Sequence, residues 1–279
     1  MAKDFVFRTR NSDTLSITTY GIDNVGNVPC IFLVHGFKGF KDWGFGPFVG
    51  KYLSENGFFV CSFNFSHNGI GNNPTEFTEL ERFAENTFSL EISELTELID
   101  AYLEGFFGRI SNSKIGLIGH SRGGGISLLT ARQRKNINAV AVWASVSNFD
   151  RYSERQKENW RKKGVFEVLN SRTKQVMRLN VSLLEDLEKN RDDLLNIGKS
   201  VSELNRPLLI VHGEQDVAVP VKEGEKLYEM SNKGLTSFIK IPAAGHTFDV
   251  VHPFKGSNPK FEKVLNNTLE FFNRNLKIG

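Results

Sequence analysis

The stretch Gly119-His120-Ser121-Arg122-Gly123 follows an apolar run, Lys114–Ile118, and precedes a stretch of helical character, Gly124–Arg134. A serine with glycines two positions away on both sides, placed between a strand and a helix, is typical of a sharp turn that exposes the serine at the edge of an α/β sheet. The glycines have a steric reason, because such a strained turn leaves no room for side chains there. The pattern therefore predicts that Ser121 is a nucleophile.

Short apolar runs alternate with longer helical patterns on both sides of that turn. This alternation predicts an α/β fold with a mostly parallel sheet flanked by helices, in a single domain over residues 1–279. About eight strands are predicted, at Asp4–Arg8, Leu15–Tyr20, Cys30–Val34, Phe58–Asn64, Ile115–Ile118, Ala139–Ala144, Leu208–Val211 and Ser237–Ile241. The clearest helical face is formed by Phe88, Ile92, Leu95, Ile99, Tyr102 and Phe106.

One connection is far longer than the few residues that normally join a strand to a helix. Residues 147–206 contain no convincing strand, and helices are expected around Ser153–Lys163 and Leu183–Leu195. The segment is therefore interpreted as a helical cap inserted within the domain. Because the strands before and after it end at the edge where Ser121 lies, the cap is expected to form a wall of the substrate pocket. The apolar candidates for that wall are Trp160, Phe166, Leu169, Leu183 and Leu184.

A serine hydroxyl needs a neighbouring base, and the favoured candidate among six histidines is His246. It lies in a loop after the last predicted strand and before the final helix, where this architecture places a base above the sheet. His252, directly before Pro253, is the alternative.

The base in turn needs a carboxylate that orients it. Asp216 is favoured because it follows the strand that begins at Leu208, which brings it to the same edge of the sheet. The alternatives are Glu214 and Asp249. The order Ser121, Asp216, His246 along the chain is the order that α/β sheets with this serine turn use.

Acyl transfer also requires hydrogen-bond donors for the developing oxyanion. The backbone N–H of Arg122 is one candidate, since it directly follows the nucleophile. The second is the N–H of Phe37 in the turn His35-Gly36-Phe37-Lys38-Gly39, which follows the strand Cys30–Val34.

These motifs, together with His212-Gly213-Glu214-Gln215-Asp216 and Gly245-His246, resemble the α/β-hydrolase superfamily. The likeness is nearest to bacterial cinnamoyl or feruloyl esterase-like and dienelactone-hydrolase-like members, and more distant to the catalytic domains of prolyl oligopeptidases. The resemblance extends from the strand at Cys30 to the C-terminal helix. It implies an α/β-hydrolase fold and a serine hydrolase with a triad and an oxyanion hole.

Composition argues against several other classes of protein. The 35 basic and 32 acidic residues give a net charge of only +3, and the basic cluster near Arg155 is interleaved with glutamates, so no nucleic-acid partner is expected. No signal peptide and no membrane span are expected, which predicts a cytoplasmic protein. The two cysteines, Cys30 and Cys61, lie in apolar runs and are expected to be buried thiols. No metal is expected, because the histidines lack close metal-ligand spacing with carboxylates on one element. No cofactor is expected either.

Three functions stay open at this point. The first is hydrolysis of a small or medium carboxylic ester, acyl or aromatic, through an acyl-enzyme. The second is a peptidase or amidase related to prolyl oligopeptidases, which would use the same three residues. The third is a non-catalytic ligand-binding protein on the same fold. The expected partner is a small-molecule ester, no membrane partner is expected, and a homodimer is kept as an open alternative to a monomer.

Overall fold

Six parallel strands form the centre of an eight-stranded sheet in the computed structural model, which describes residues 2–277. The sheet order is β1-β2-β4-β3-β5-β6-β9-β10, with the antiparallel pair β1 and β2 at one edge. The strands, with β7 and β8 in a separate hairpin, are β1 Ala2–Arg8, β2 Thr14–Tyr20, β3 Cys30–Val34, β4 Phe59–Phe63, β5 Ile115–His120, β6 Ile137–Trp143, β7 Val165–Leu169, β8 Val176–Asn180, β9 Leu208–Gly213 and β10 Thr236–Ile241. All eight predicted strands are present in the sheet, with ends shifted by at most two residues, and the predicted α/β fold is confirmed.

Helices cover both faces of this sheet. They are α1 Gly46–Glu55, α2 Leu80–Glu85, α3 Phe88–Leu103, α4 Arg122–Gln133, α5 Glu154–Lys163, α6 Val181–Asn190, α7 Ile197–Glu203, α8 Val221–Met230 and α9 Pro259–Phe272. The apolar side chains of α1 and α9 pack into one core on one face of the sheet. Those of α3, α4 and the helices from α5 to α8 form the core on the other face.

The predicted apolar face of α3 is correct except at its last member. Phe88, Ile92, Leu95, Ile99 and Tyr102 are buried, but Phe106 lies beyond the end of the helix and is 41 % exposed. The helix stops earlier because Gly105 has a φ of +89°, a left-handed conformation that terminates helices.

The long insertion contains a β-hairpin as well as helices, which corrects the expectation of a segment without strands. Gly164, with a φ of +71°, ends α5 and starts the hairpin β7–β8. The alternation of buried and exposed residues in Val176–Asn180 has the period of two that a strand requires. The predicted second helix, Leu183–Leu195, is shorter than expected and ends at Asn190.

Both ends of the insertion are tied to the domain body. The Ser147 hydroxyl donates to Glu223 Oε2 at 2.6 Å. At the other end the Arg206 guanidinium donates to the carbonyl oxygens of Arg134 and Ile137, each at 2.7 Å. The insertion leaves the sheet at the carboxyl end of β6 and returns at the amino end of the neighbouring parallel strand β9, so only its first end lies beside the carboxyl ends of the strands.

Candidate active site

Ser121 lies in the strained turn between β5 and α4, with a φ of 58° and a ψ of −120°. A side chain at either flanking glycine would collide with backbone. A Cβ at Gly119 would lie 2.3 Å from the Gly123 carbonyl oxygen, and one at Gly123 would lie 2.3 Å from the Val34 carbonyl oxygen. These contacts give the physical reason for both glycines and place the serine at the N-terminus of α4, where the helix dipole favours negative charge.

Phe37 and Arg122, the two predicted oxyanion residues, both lie beside Ser121. A Cβ added to Gly36 would lie 2.9 Å from Ser121 Cβ and 3.5 Å from the Arg122 nitrogen, so the loop after β3 packs against the turn. Within residues 2–277, neither the Phe37 N–H nor the Arg122 N–H donates a hydrogen bond. Two free donors beside a strained serine are the arrangement that a tetrahedral oxyanion needs.

The sequence predicted only that His35 lies in a turn. In the structure, this residue controls the orientation of the Phe37 N–H. Its Nε2 accepts a hydrogen bond from the Phe65 N–H at 3.2 Å, so in the neutral ring Nδ1 carries the proton and donates to the Gly36 carbonyl at 3.0 Å. Gly39 N–H donates to the same carbonyl. The carbonyl and the N–H of a trans peptide point in opposite directions. Because these bonds hold the Gly36 carbonyl inside the turn His35–Gly39, the Phe37 N–H points out of that turn. Burial lowers the pKa of His35 to about 4, which keeps the ring neutral.

His246 and Asp216 are brought together as the sequence predicted. His246 Nδ1 donates to Asp216 Oδ2 at 2.7 Å, while Asp216 Oδ1 accepts from the N–H groups of Ala218 and Val219 at 2.9 and 2.8 Å. Burial alone would raise the pKa of Asp216, but hydrogen bonding by His212 and His246 outweighs it and lowers the pKa below its usual range. The carboxylate therefore stays ionised and holds the proton of His246 on Nδ1, which leaves Nε2 free to act as a base.

The rival residues have other partners. Asp249 accepts hydrogen bonds from Gly245 N–H and from the Lys260 ammonium. Glu214 is exposed. His252 Nδ1 accepts a hydrogen bond from Gly44 N–H at 3.0 Å, and its ring stacks on Trp43. The structure thus places His246, and not His252, beside Asp216.

His120, directly before Ser121, contacts His246, a contact that the sequence did not predict. Its Nε2 donates to the His246 carbonyl oxygen at 3.0 Å, and the two ring centroids are 4.8 Å apart. Burial and the charge of His246 lower the pKa of His120 to about 3, so it stays neutral. Ser121 and His246 themselves form no hydrogen bond in the described part of the chain, as is common in free enzymes before substrate aligns them.

A cavity of about 250 Å³ opens onto both Ser121 and His246. Its apolar wall is largely aromatic and comes from the domain body, with Phe37, Phe40, Trp43, Phe45 and Trp143. The insertion contributes the turn between β7 and β8, namely Asn170, Ser171 and Arg172. No aspartate or glutamate is among the residues that line this cavity, and all of them lie within residues 2–277.

The five apolar insertion residues predicted to line the pocket lie elsewhere. Trp160, Leu183 and Leu184 are each 1 % exposed and belong to the core that joins the insertion to the domain. Phe166 packs against Trp160 and Tyr152, and Leu169 is 57 % exposed. The physical reason is that the hairpin, absent from the prediction, provides the part that reaches the cavity and leaves the apolar helix faces to attach the insertion.

The Arg122 side chain is a further feature that the sequence did not reveal. Its guanidinium lies 4.3 Å from the centroid of the Phe37 ring and 4.8 Å from that of Phe88. It also pairs with Glu91 Oε1 at 3.4 Å. Burial raises the pKa of Glu91, and the nearby Arg122 charge opposes that rise. Arg122 thus connects the serine turn to the loop that carries the second donor.

One group outside the cavity has metal-ligand chemistry. Ligand atoms of Asp13, His67 and Glu94 lie within 4.8 Å of one another. Asp13 is paired with Arg82 at 2.7 Å, and the Ser66 hydroxyl contacts both His67 and Glu94, so hydrogen bonds and an ion pair already engage the three. Among residues 2–277, no helix is both long and apolar enough to cross a membrane.

The sequence matches a known protein family over most of its length. A family profile described as the prolyl oligopeptidase family matches residues 44–279. A search of curated protein sequences finds no match.

Solved structures with the same fold are numerous. Est1E from Butyrivibrio proteoclasticus, solved with ferulic acid bound, aligns with a TM-score of 0.74 at 18% identity over 98% of this chain and 100% of its own. The α/β hydrolase GrgF from Penicillium sp. sh18 aligns with a TM-score of 0.74 at 18% identity over the whole of both chains. Dienelactone hydrolase from Anabaena variabilis aligns at 0.62 and 16% identity over 99% of both. These likenesses establish the α/β-hydrolase fold.

Proposed function

The chain belongs to the prolyl oligopeptidase family, and from that premise we propose that it is a serine hydrolase that cleaves a small or medium carboxylic ester through an acyl-enzyme. Ser121 is the nucleophile, His246 the general base and Asp216 the residue that orients the base. The backbone N–H groups of Phe37 and Arg122 form the oxyanion hole. The observation that carries the proposal is the 2.7 Å hydrogen bond between His246 and Asp216 at the cavity that also contains Ser121.

The reaction proceeds in two halves with a common base. Ser121 Oγ attacks the ester carbonyl while His246 Nε2 takes its proton, and the oxyanion is stabilised by the two backbone donors. The tetrahedral intermediate collapses when His246 returns the proton to the leaving alcohol, which leaves the acyl group on Ser121. Water then attacks the acyl-enzyme by the same route, the proton passes through His246 to Ser121, and the carboxylic acid is released.

The charge of the cavity favours an ester over a peptide bearing a free amino terminus. A carboxylate would be needed to hold an α-ammonium group, and the cavity lining contains none. Membership of the prolyl oligopeptidase family supports the second candidate, a peptidase or amidase, because the same three residues would cleave an amide. The two candidates differ in substrate, and the choice between them is experimental.

Residues 147–206 are proposed to act as the cap of this site. The support is the position of its hairpin turn, where Asn170, Ser171 and Arg172 line the cavity. Gln175 Nε2 donates to the Phe77 carbonyl at 2.9 Å and attaches the hairpin to the domain body. The cap therefore presents polar side chains to the substrate, whereas the domain body presents aromatic ones.

Covalent labelling followed by substrate panels tests the proposal. A fluorophosphonate probe should label the wild-type protein at Ser121, and p-nitrophenyl and hydroxycinnamate esters should be cleaved faster than matched p-nitroanilides of peptides. Ser121→Ala should abolish labelling and lower kcat by roughly a millionfold. A variant that kept more than about a thousandth of wild-type kcat would overturn the role of Ser121. Faster cleavage of peptide anilides would favour the peptidase, and no labelling with intact folding would favour a non-catalytic binder.

A further inference from the structure

The cavity beside Ser121 is lined by three cationic side chains and by no anionic one. Lys38, Lys41 and Arg172 are the cationic residues. Lys41 is neutralised by Asp42, whose Oδ2 lies 2.6 Å from the Lys41 ammonium. Lys38 and Arg172 form no ion pair with any carboxylate in the described residues 2–277. Two positive charges at the substrate cavity therefore lack a counterion from the protein.

These two residues are far apart in the sequence, but the side chain of each reaches the backbone of the segment that carries the other. Lys38 follows the proposed oxyanion donor Phe37, and Arg172 lies at the turn of the cap hairpin. The Arg172 guanidinium donates to the Lys38 carbonyl at 3.3 Å, and the Lys38 ammonium donates to the Leu169 carbonyl at 3.4 Å. Each cation keeps further donors free, since a guanidinium has five N–H groups and an ammonium three.

Holding two like charges together without a counterion is unfavourable. Partial burial lowers the pKa of Lys38, and the charge of Arg172 lowers it further. Burial also lowers the pKa of Arg172. An anion bound between the two side chains would compensate both charges and accept their free donors.

Aromatic rings surround the two cations. The Arg172 guanidinium lies 5.8 to 5.9 Å from the ring centroids of Phe40, Trp43 and Phe77, and the Lys38 ammonium lies 5.4 Å from that of Phe37. These contacts hold the cationic groups at the cavity wall. A ligand that fits the site would combine an apolar or aromatic body with one anionic group.

We propose that Lys38 and Arg172 form an anion subsite that binds a carboxylate of the substrate. The substrate class is then an ester that carries a free carboxylate away from the scissile bond, either on the acyl part or on the alcohol part. A carboxylate fits because its two oxygens can accept from one guanidinium and one ammonium at the same time. This assignment rests on the proposed hydrolase function for the identity of the substrate, but the anion subsite can be tested without turnover.

The binding test compares two isosteric probes, 3-phenylpropanoate and 3-phenylpropanamide, by calorimetric titration. The wild-type protein should bind the carboxylate roughly tenfold more tightly than the amide, the scale of one charge-assisted hydrogen bond. Arg172→Gln and Lys38→Gln should each reduce that preference several-fold. Lys174→Gln removes a charge from the same turn outside the cavity and should retain it. Carboxylate binding no tighter than amide binding, including no detectable binding of either, would overturn the subsite, as would a preference that survives both substitutions.

Matched esters then locate the carboxylate and separate this inference from the proposed function. On the acyl side, p-nitrophenyl hydrogen glutarate is compared with p-nitrophenyl pentanoate. On the alcohol side, 4-acetoxybenzoate is compared with its methyl ester. In one pair the charged member should have a kcat/KM about tenfold higher, and Arg172→Gln should bring the ratio close to one. Cleavage of the neutral esters without any such preference would overturn the subsite and leave the hydrolase intact. Failure to cleave any ester would count against the hydrolase, and the binding titration would still decide on the subsite.

Discussion

The guanidinium of Arg122 stacks on the ring of Phe37, with its central carbon 4.3 Å from the ring centroid. These are the two residues whose free backbone N–H groups lie beside Ser121. The contact therefore joins the helix N-terminus and the loop after β3 through side chains, at the point where their backbones are proposed to bind one oxyanion. A cation on an aromatic face contributes about 1 kcal/mol or more when it is partly desolvated.

Replacement of Arg122 should weaken both stability and catalysis. Arg122→Gln keeps the backbone donor but removes the stack on Phe37 and leaves Glu91 without its buried partner. We expect a loss of about 3 kcal/mol in the free energy of unfolding, the scale for breaking a buried pair, and a kcat lower by roughly tenfold. The double variant Arg122→Gln with Glu91→Gln should recover much of the stability but not the kcat. Full recovery of kcat in the double variant would show that Arg122 has no part in positioning the loop.

Loss of the His35 hydrogen bonds should impair turnover with little effect on substrate binding. His35→Phe keeps the ring volume but removes the donor to the Gly36 carbonyl, so the Phe37 N–H is no longer held in one direction. We expect kcat to fall by roughly 10 to 100 fold, below the full cost of removing an oxyanion donor, and the rate of fluorophosphonate labelling to fall in parallel. His67→Phe, at a histidine that does not line the cavity, is the control. Wild-type kcat in His35→Phe would contradict the role of that peptide.

The pH dependence of kcat/KM should show a single ionisation on its acid side. His35 and His120 have pKa values lowered to about 4 and 3, so both are neutral across the range in which an ordinary histidine titrates. The group proposed as general base must be neutral to accept the serine proton, and Asp216 remains ionised because its pKa is lowered. His246→Ala should remove activity, while His252→Ala should keep the profile. A slope of two protons, or loss of the acid limb in His252→Ala alone, would refute this assignment.

Glu94 should make the protein less stable as the pH rises from about 5 to 8. Burial raises the pKa of Glu94 to about 7, against about 4.3 in an unfolded chain. Between these two pH values the native state therefore binds one proton more than the unfolded state. Stability contributed by that proton is complete at low pH and is lost as the pH rises through the native pKa. Relative to Glu94→Gln, the wild type should lose about 3 kcal/mol over this range. Urea unfolding at pH 5 and pH 8 measures the difference, and parallel curves for the two proteins would disprove it.

Substitutions in the cap should separate its core from its cavity wall. Leu184→Ala should cost about 3 kcal/mol of stability, because the side chain is buried, and should leave the ranking of ester substrates unchanged. Ser171→Phe, in the turn that lines the cavity, should alter the ranking by roughly tenfold with little loss of stability. Unfolding curves and a panel of p-nitrophenyl esters give both quantities. If Leu184→Ala altered the ranking of substrates and Ser171→Phe did not, the apolar helices of the cap would line the pocket instead of the turn.

The sequence alone was sufficient to predict the fold and to choose the residues of the proposed triad. The catalytic roles of those residues stay predictions. Strands have a period of two and helices a period near 3.6, so the sheet and helix faces could be read from local spacing. The turn around Ser121 has steric requirements within five residues, and the order of Ser121, Asp216 and His246 follows from which strand ends they occupy. Phe106 was wrongly predicted to lie on the face of α3. The reason is again local, because the left-handed conformation of Gly105 ends the helix before Phe106.

The tertiary structure alone decided what surrounds those residues. His35 fixes a peptide through an acceptor bond from Phe65, and His120 supports His246 across 126 residues of sequence. Lys38 meets Arg172 across 134 residues, because a hairpin in the insertion turns over the loop after β3. Such contacts depend on how separate elements pack against each other, and no residue spacing along the sequence indicates them. The most apolar residues of the insertion therefore attach it to the domain body, and its polar turn lines the cavity.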